Sequence, residues 1–266
     1  MDSTNSKVRI GVFDSGVGGL SVLKELLTQL PGVEYFYFAD QLHVPYGRRS
    51  KADIQRLSRA IVEFLFEKKV EILVIACNTA TAKALTYLRE IFPDRHFVGT
   101  EPALKPAAAA TDTGKVAVLA TQGTFQSDRY TSLTERFANE VEVFENPCYG
   151  LVELIEAGKL DDPETENLLR GILAPMLAAG ADTVVLGCTH YPFIEPTLRK
   201  IIGEKIKIIN PAPAVARQTT KIFELMKFEA WGETLLHFYT TGDPEMLERQ
   251  VEKLLNLTAK AEKVEL

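Results

Sequence analysis

The sequence predicts an α/β protein of two similar lobes. Each lobe is a largely parallel sheet flanked by helices; the two are related by a pseudo-twofold, with the site in the cleft between them. Three observations carry this. Short apolar runs of strand length alternate with longer segments of helical period, which is the pattern of βαβ units. Inner runs such as Ile72-Leu73-Val74-Ile75-Ala76 are apolar throughout, as strands covered on both faces must be. The pattern also restarts at mid-chain. Lys7 through Ser15 falls on Lys115 through Gly123, and Glu71 through Thr79 falls on Asp182 through His190, which sets Cys77 on Cys188.

The elements follow in order. Val8–Phe13 reads as a strand running into Asp14-Ser15-Gly16-Val17-Gly18-Gly19, then a helix from Leu20 to about Leu30 that Pro31-Gly32 stops. Glu34–Ala39 is a strand, followed by a loop holding Pro45-Tyr46-Gly47. From Ser50 to Lys69, apolar residues at Ile54, Leu57, Ile61, Phe64 and Leu65 keep the helical period. The strand Ile72–Ala76 ends at Cys77-Asn78-Thr79, with a helix from about Ala80. Gly99–Lys105, with Pro102 and Pro106, reads as a crossover between lobes. Then come a strand at Val116–Ala120, the turn Thr121-Gln122-Gly123-Thr124, a helix from about Ser127, a strand at Val141–Phe144 and a helix from about Leu151. Thr183–Gly187 is a strand ending at Cys188-Thr189-His190. The tail holds a strand at Leu236–Tyr239, a helix at Pro244–Leu255 and a charged end from Lys260, expected to be solvated.

Composition narrows the function classes. The 266 residues are 46% hydrophobic and 25% charged, enough for sizeable cores and against general disorder. The net charge of −6 argues against a nucleic-acid surface. No segment has the ~20 apolar residues of a membrane span. Met1–Ser6 is short and polar, so no signal peptide and a cytoplasmic residence are expected. Three cysteines are too few and too odd for a disulfide framework there.

In parallel sheets, ligands bind at the carboxyl ends of strands. Asp14, Cys77, Thr121 and Cys188 all stand at such ends. Two facing lobes would set the two cysteines on opposite sides of one cleft. Inverting a carbon needs one group to remove a proton from one face and another to deliver one to the other face, and two like groups suit a reaction that runs both ways. A thiol of ordinary pKa, about 8.5, can be lowered at a helix start, where both cysteines are expected. Backbone N–H groups with Asn78, Thr79, Thr121, Thr124 and Thr189 would stabilise the charge gathering on a substrate carboxylate. Asp14 and His190 would tune the adjacent thiols. Cys148 reads as structural. A zinc site on the three cysteines and His190 lacks any Cys-x-x-Cys or His-x-x-x-His spacing, and no metal is expected. The 14–19 loop could cradle a phosphate, but it lacks the lysine of a P-loop and the Gly-x-Gly-x-x-Gly spacing.

Taken together, Gly11-Val12-Phe13-Asp14-Ser15-Gly16-Val17-Gly18-Gly19, Pro45-Tyr46-Gly47, Cys77-Asn78-Thr79-Ala80, Thr121-x-Gly123-Thr124 and Gly187-Cys188-Thr189-His190-Tyr191-Pro192 resemble the bacterial glutamate racemases, in the right order from about residue 8 to about 243. The resemblance implies a cofactor-free, two-base inversion of glutamate that supplies D-glutamate for peptidoglycan. Cys77 would take the α-proton of D-glutamate with Asp14 assisting, and Cys188 that of L-glutamate with His190 assisting. It places an acidic residue, Glu153, near the site. Ser15, Asn78, Thr79, Thr121, Thr124 and Thr189 would hold substrate, and backbone at Tyr46 and Gly47 would receive its side-chain carboxylate. It also implies lobes of 1–98 with 208–266, and 99–207. A homodimer is carried as the expected assembly. Two departures stand out: Asn210-Pro211-Ala212 where relatives often have Asp-Pro-Ala, and Cys148-Tyr149-Gly150 in place of a Cys-Pro. The rivals are an aspartate racemase of the same superfamily and, in another class, a phosphate- or nucleotide-binding module using the 14–19 loop.

Overall fold

A computed structural model describes residues 7–137 and 141–266; the expectation for Met1–Ser6 lies outside them. The chain runs β1 (Arg9–Asp14), α1 (Leu20–Gln29), β2 (Glu34–Ala39), α2 (Lys51–Glu67), β3 (Ile72–Ile75), α3 (Asn78–Ile91) and β4 (His96–Gly99). It continues through α4 (Leu104–Ala110), β5 (Lys115–Leu119), α5 (Gln122–Phe125), α6 (Asp128–Phe137), β6 (Glu142–Asn146), α7 (Leu151–Glu156), α8 (Pro163–Ala178), β7 (Thr183–Leu186), α9 (Glu195–Ile202) and β8 (Lys207–Ile209). It closes with α10 (Ala212–Leu225), β9 (Leu235–Thr240), α11 (Pro244–Leu255) and β10 (Ala261–Lys263).

Two wholly parallel sheets result. The first has the order β10-β9-β2-β1-β3-β4, the second β6-β5-β7-β8. The second repeats the inner order of the first, with β5 in the place of β1 and β7 in the place of β3. The mid-chain restart in the sequence is thus a repeat of topology. In each sheet the order reverses between the paired strands β1 and β3, or β5 and β7, and the cysteines follow β3 and β7.

Period-two alternation builds the cores. Ile10, Val12, Tyr35, Tyr37 and Val74 pack under α1, α10 and α11, while Phe13, Phe36, Phe38, Leu73 and Ile75 pack under α2 and α3. In the second lobe Leu119, Val184 and Leu186 face one core, and Val116, Val118 and Val185 the other. Each such side chain contributes roughly 1.5–3 kcal/mol when fully buried. Helix starts follow the sequence: Ser50 caps α2, its hydroxyl accepting the Asp53 N–H at 3.1 Å.

Three expectations are corrected. The tail from Lys260 is not a free end. β10 pairs with β9, and the Val264 N–H donates to Thr240 O at 2.8 Å. Its charged side chains can face water while its backbone pairs, as suits an edge strand. The lobe boundaries expected at 98/99 and 207/208 fall inside β4 and β8, so sheet membership moves them to follow Gly99 and Ile209. Only Cys77 stands at the start of an α-helix. After Cys188 the chain makes a 3-10 turn at Tyr191–Ile194 before α9. Pro192 has no N–H to donate to Cys188 O, the first bond a helix capped there would need.

Candidate active site

On the first lobe, the Cys77 thiol caps α3, accepting the Ala80 N–H at 3.4 Å. The thiol also donates to Ser15 Oγ at 3.8 Å, and Ser15 donates to Asp14 Oδ1 at 3.5 Å. Asp14 is wholly buried and receives the Gly16 N–H at 3.1 Å and the Thr189 hydroxyl, from the other lobe, at 2.9 Å. Asp14 therefore reaches the sulfur through Ser15. Burial first, and then the charge of Asp14, push the Cys77 thiol well above its ordinary value, outweighing the Ala80 bond. This reverses the lowering expected from its place at a helix start. Burial likewise raises the Asp14 carboxyl, against the pull of His190 and Thr189.

On the second lobe, Cys188 Sγ and His190 Nδ1 lie 3.6 Å apart in hydrogen-bonding geometry. The far side of the ring, Nε2, meets Glu156 Oε1 at 2.6 Å. His190 and Glu156 are buried, and Glu156 Oε1 also accepts the Val17 N–H from the first lobe at 2.8 Å. Burial favours neutral imidazole, but the bonds to Cys188 and Glu156 win and raise His190 well above its ordinary value. Glu156 is held below its ordinary value by the same partnership and the Val17 N–H, although burial opposes it. The two sulfurs thus face different chemistry, a carboxylate relayed by a hydroxyl on one side and an imidazole–carboxylate pair on the other.

Both thiols, each 6% exposed, line one pocket of about 270 Å³ with Ser15, Tyr46, Gly47, Asn78, Thr79, Thr121, Thr189 and His190. Pro45 and Val152 complete its wall. With the lobes closed, almost none of that space is open to a water molecule. Two expected residues stand one layer back. Asp14 lies behind Ser15 and Thr189, and Thr124 supports Thr79 and Thr121, with hydroxyl separations of 3.4 and 3.2 Å. The Thr79 and Thr121 hydroxyls join the lobes at 2.7 Å. Asn78 is buried, and neither its Oδ1 nor its Nδ2 has a partner among the described residues. Its amide offers a donor and an acceptor together at the pocket wall.

Glu153 lies near the site but outside the pocket that holds the thiols. It sits at the rim, 43% exposed, paired with Arg48 at 3.2 Å across the mouth. The acid that meets the histidine is Glu156, which the sequence reading missed. A signal was there. Leu151, Val152 and Ile155 form a buried stripe on α7, and 156 stands four residues after 152, on the same face.

The 14–19 loop is not a phosphate cradle. The Gly16 N–H serves Asp14 and the Val17 N–H serves Glu156. A side chain at Gly16 would strike the Glu156 carboxylate, and one at Gly18 would strike the His190 ring. These glycines let the lobes close on each other. Cys148 is buried outside the pocket, donating to Asn146 O at 3.3 Å, and burial pushes it up to about 12. Among the described residues no three His, Cys, Asp or Glu side chains converge as metal ligands, and no helix is long and apolar enough to cross a membrane.

Fold and site are those of a two-lobed α/β enzyme that encloses a small substrate between the carboxyl ends of two parallel sheets. A sequence model of the Asp/Glu/Hydantoin racemase family matches residues 10–219. The chain belongs to that family and is a racemase, an isomerase. It is 49% identical over 241 residues to the glutamate racemase of Pseudomonas aeruginosa strain UCBPP-PA14, covering 90% of this chain and 91% of that one. Its fold is similar to a Bacillus anthracis glutamate racemase isoform, with 33% identity, a TM-score of 0.89 and 98% of each chain covered. It is also similar to the Escherichia coli glutamate racemase solved with L-glutamate and the activator UDP-MurNAc-ala, with 34% identity, a TM-score of 0.83, and 98% of this chain and all of that one covered.

Proposed function

We propose that the chain interconverts L- and D-glutamate without a cofactor, with Cys77 and Cys188 as its two bases. The observation that carries this is the arrangement of the thiols: one follows the third strand of each sheet repeat, and both line one pocket between the lobes. From D-glutamate, the Cys77 thiolate takes the α-proton and the Cys188 thiol returns one to the opposite face. From L-glutamate the roles exchange. Asn78 and the Thr79, Thr121 and Thr189 hydroxyls bind the α-carboxylate and share the charge it gains. Ser15 and Asp14 serve the Cys77 proton, and His190 with Glu156 serves that of Cys188. The distal carboxylate goes to the backbone at Tyr46 and Gly47. The similarity to glutamate racemases over nine-tenths of the chain supports glutamate as substrate, and with it the supply of D-glutamate for peptidoglycan in the cytoplasm. A homodimer is part of the proposal, and light scattering tests it.

The test is circular dichroism of purified protein with L-glutamate, D-glutamate or L-aspartate and nothing else added. Loss of signal from both glutamates is expected. Aspartate, one methylene shorter, cannot reach the 46–47 backbone with its α-carbon between the thiols, and misplacement of about 1 Å costs on the order of 10²-fold. Equal kcat/KM for glutamate and aspartate would overturn the substrate. Cys77→Ala and Cys188→Ala should each abolish racemisation. In D₂O, residual α-exchange is expected with D-glutamate only for Cys188→Ala, and with L-glutamate only for Cys77→Ala. Full racemisation by either variant would overturn the two-base reading.

A further inference from the structure

We propose that Gln250, on α11 of the first lobe, is a positioning residue for the Cys188 half of the reaction, an inference that rests on the two-thiol reading above. Glu156 closes α7, so its main-chain carbonyl has no partner within the helix. The buried Gln250 Nε2 donates to that carbonyl at 2.7 Å. Gln41 Nε2 donates to Gln250 Oε1 at 2.7 Å, and Thr240 Oγ1 donates to Gln41 Oε1 at 3.0 Å. A directed chain of hydrogen bonds thus runs from the end of β9 to the residue whose carboxylate orients His190. The Val17 N–H, also of the first lobe, donates to the carboxylate itself, on the oxygen that meets His190. The acid behind Cys188 is therefore carried on the second lobe and fixed by the first. The Cys77 side, with Ser15 and Asp14, has no bond to Gln41 or Gln250. The Gln41 amide also helps to keep Glu156 ionised.

Loss of Gln250 should therefore burden the proton transfer at Cys188 and leave the transfer at Cys77 alone. Rate alone cannot display this. Enantiomers have equal free energy in water, so kcat/KM must fall equally in both directions in any variant. Isotope effects separate the halves, because α-deuterium on L-glutamate reports abstraction by Cys188 and on D-glutamate abstraction by Cys77. In Gln250→Met, which keeps the side-chain length and removes the amide, kcat/KM should fall about tenfold, the loss typical of one buried hydrogen bond. The primary isotope effect on kcat/KM should rise with 2-deutero-L-glutamate and shrink with 2-deutero-D-glutamate. Gln41→Met should shift both effects the same way, and it carries the test should Gln250→Met fail to fold in a thermal melt. Lys253→Met removes a neighbouring clamp, Lys253 Nζ to Gly158 O at 2.8 Å, and should leave both isotope effects at wild-type values. Isotope effects that stay put, that move alike for both enantiomers, or that move equally in Lys253→Met would overturn the assignment. Wild-type protein that fails to racemise glutamate would instead overturn the reading beneath it.

Discussion

Cys77 and Cys188 occupy matched positions in the sequence repeat and have unlike surroundings. Burial and Asp14 favour the protonated Cys77, while Cys188 faces an imidazole whose charge Glu156 supports. At this scale the test is which carboxylate matters. Glu156→Gln should lower kcat about 10–100-fold, as the loss of a residue that orients a reactive group does. Glu153→Gln breaks only an exposed pair worth ~0–1 kcal/mol, so its effect should stay within about fivefold. Steady-state kinetics of the two variants compares them directly, and equal losses would show that Glu156 has no special part. Glu156 also carries a pH signature. Its folded pKa lies below its ordinary 4.5, so it stabilises the fold above that pH and ceases to do so as pH falls through the folded value. The gap in Tm between wild type and Glu156→Gln should be widest near neutrality and close in acid. A gap that does not change with pH would mean that the ionised form is not what stabilises.

Elements are held by local devices that periodicity does not reveal. Asp182, just before β7, accepts the Thr111 hydroxyl at 2.5 Å and the Asp112 and Thr113 N–H groups at 2.7 and 2.9 Å, fixing the turn between α4 and β5. Burial is the largest single influence and pushes its carboxyl up, but those bonds together overcome it and hold the carboxyl at about 2, against an ordinary 3.8. Because Asp182 is near solvent, Asp182→Asn should cost about 1 kcal/mol after screening. The loss should be present above pH ~4 and vanish as pH falls through 2, which urea melts at several pH values can follow. The loop between β1 and α1 obeys a different constraint. Gly18→Ala would press a methyl against the His190 ring. It should lower kcat/KM by about 10²-fold, as displacement of a catalytic group by about 1 Å does, while the helix start keeps its φ and most of its stability. Near wild-type activity in this variant would show that the lobes close with room to spare.

At the scale of the molecule, one cleft depends on bonds that cross it: Val17 to Glu156, Thr189 to Asp14, Thr79 to Thr121 and Ser21 Oγ to Thr189 O at 2.8 Å. A ligand that binds this cleft and not the unfolded chain stabilises the fold by RT ln(1 + [L]/Kd), about 2.7 kcal/mol at a hundredfold excess over Kd. D- or L-glutamate should therefore raise the melting temperature by several degrees. ATP should not, since the Gly16 and Val17 N–H groups are spent within the protein and the loop lacks a P-loop lysine. A shift with ATP alone would restore the phosphate-binding reading.

Much of this was legible in the chain. Strand runs and helical periods are short-range consequences of burying one face or two, so β1 to β3, α2 and α11 fell within a few residues of their expected bounds. The restart and the paired cysteines announced two lobes because equivalent positions in repeated βαβ units end at equivalent places. The tertiary structure decided what depends on partners distant in sequence. Glu156 is buried against His190 because the first lobe supplies the Val17 N–H that a buried carboxylate needs. The charged tail becomes β10 because β9 offers it an unpaired edge. The Cys77 thiol is pushed up, not down, because burial beside Asp14 outweighs one N–H at a helix start. Sequence fixes what each residue can donate, accept or bury; only the closed fold fixes how much water and which charges remain beside it, and those set the chemistry.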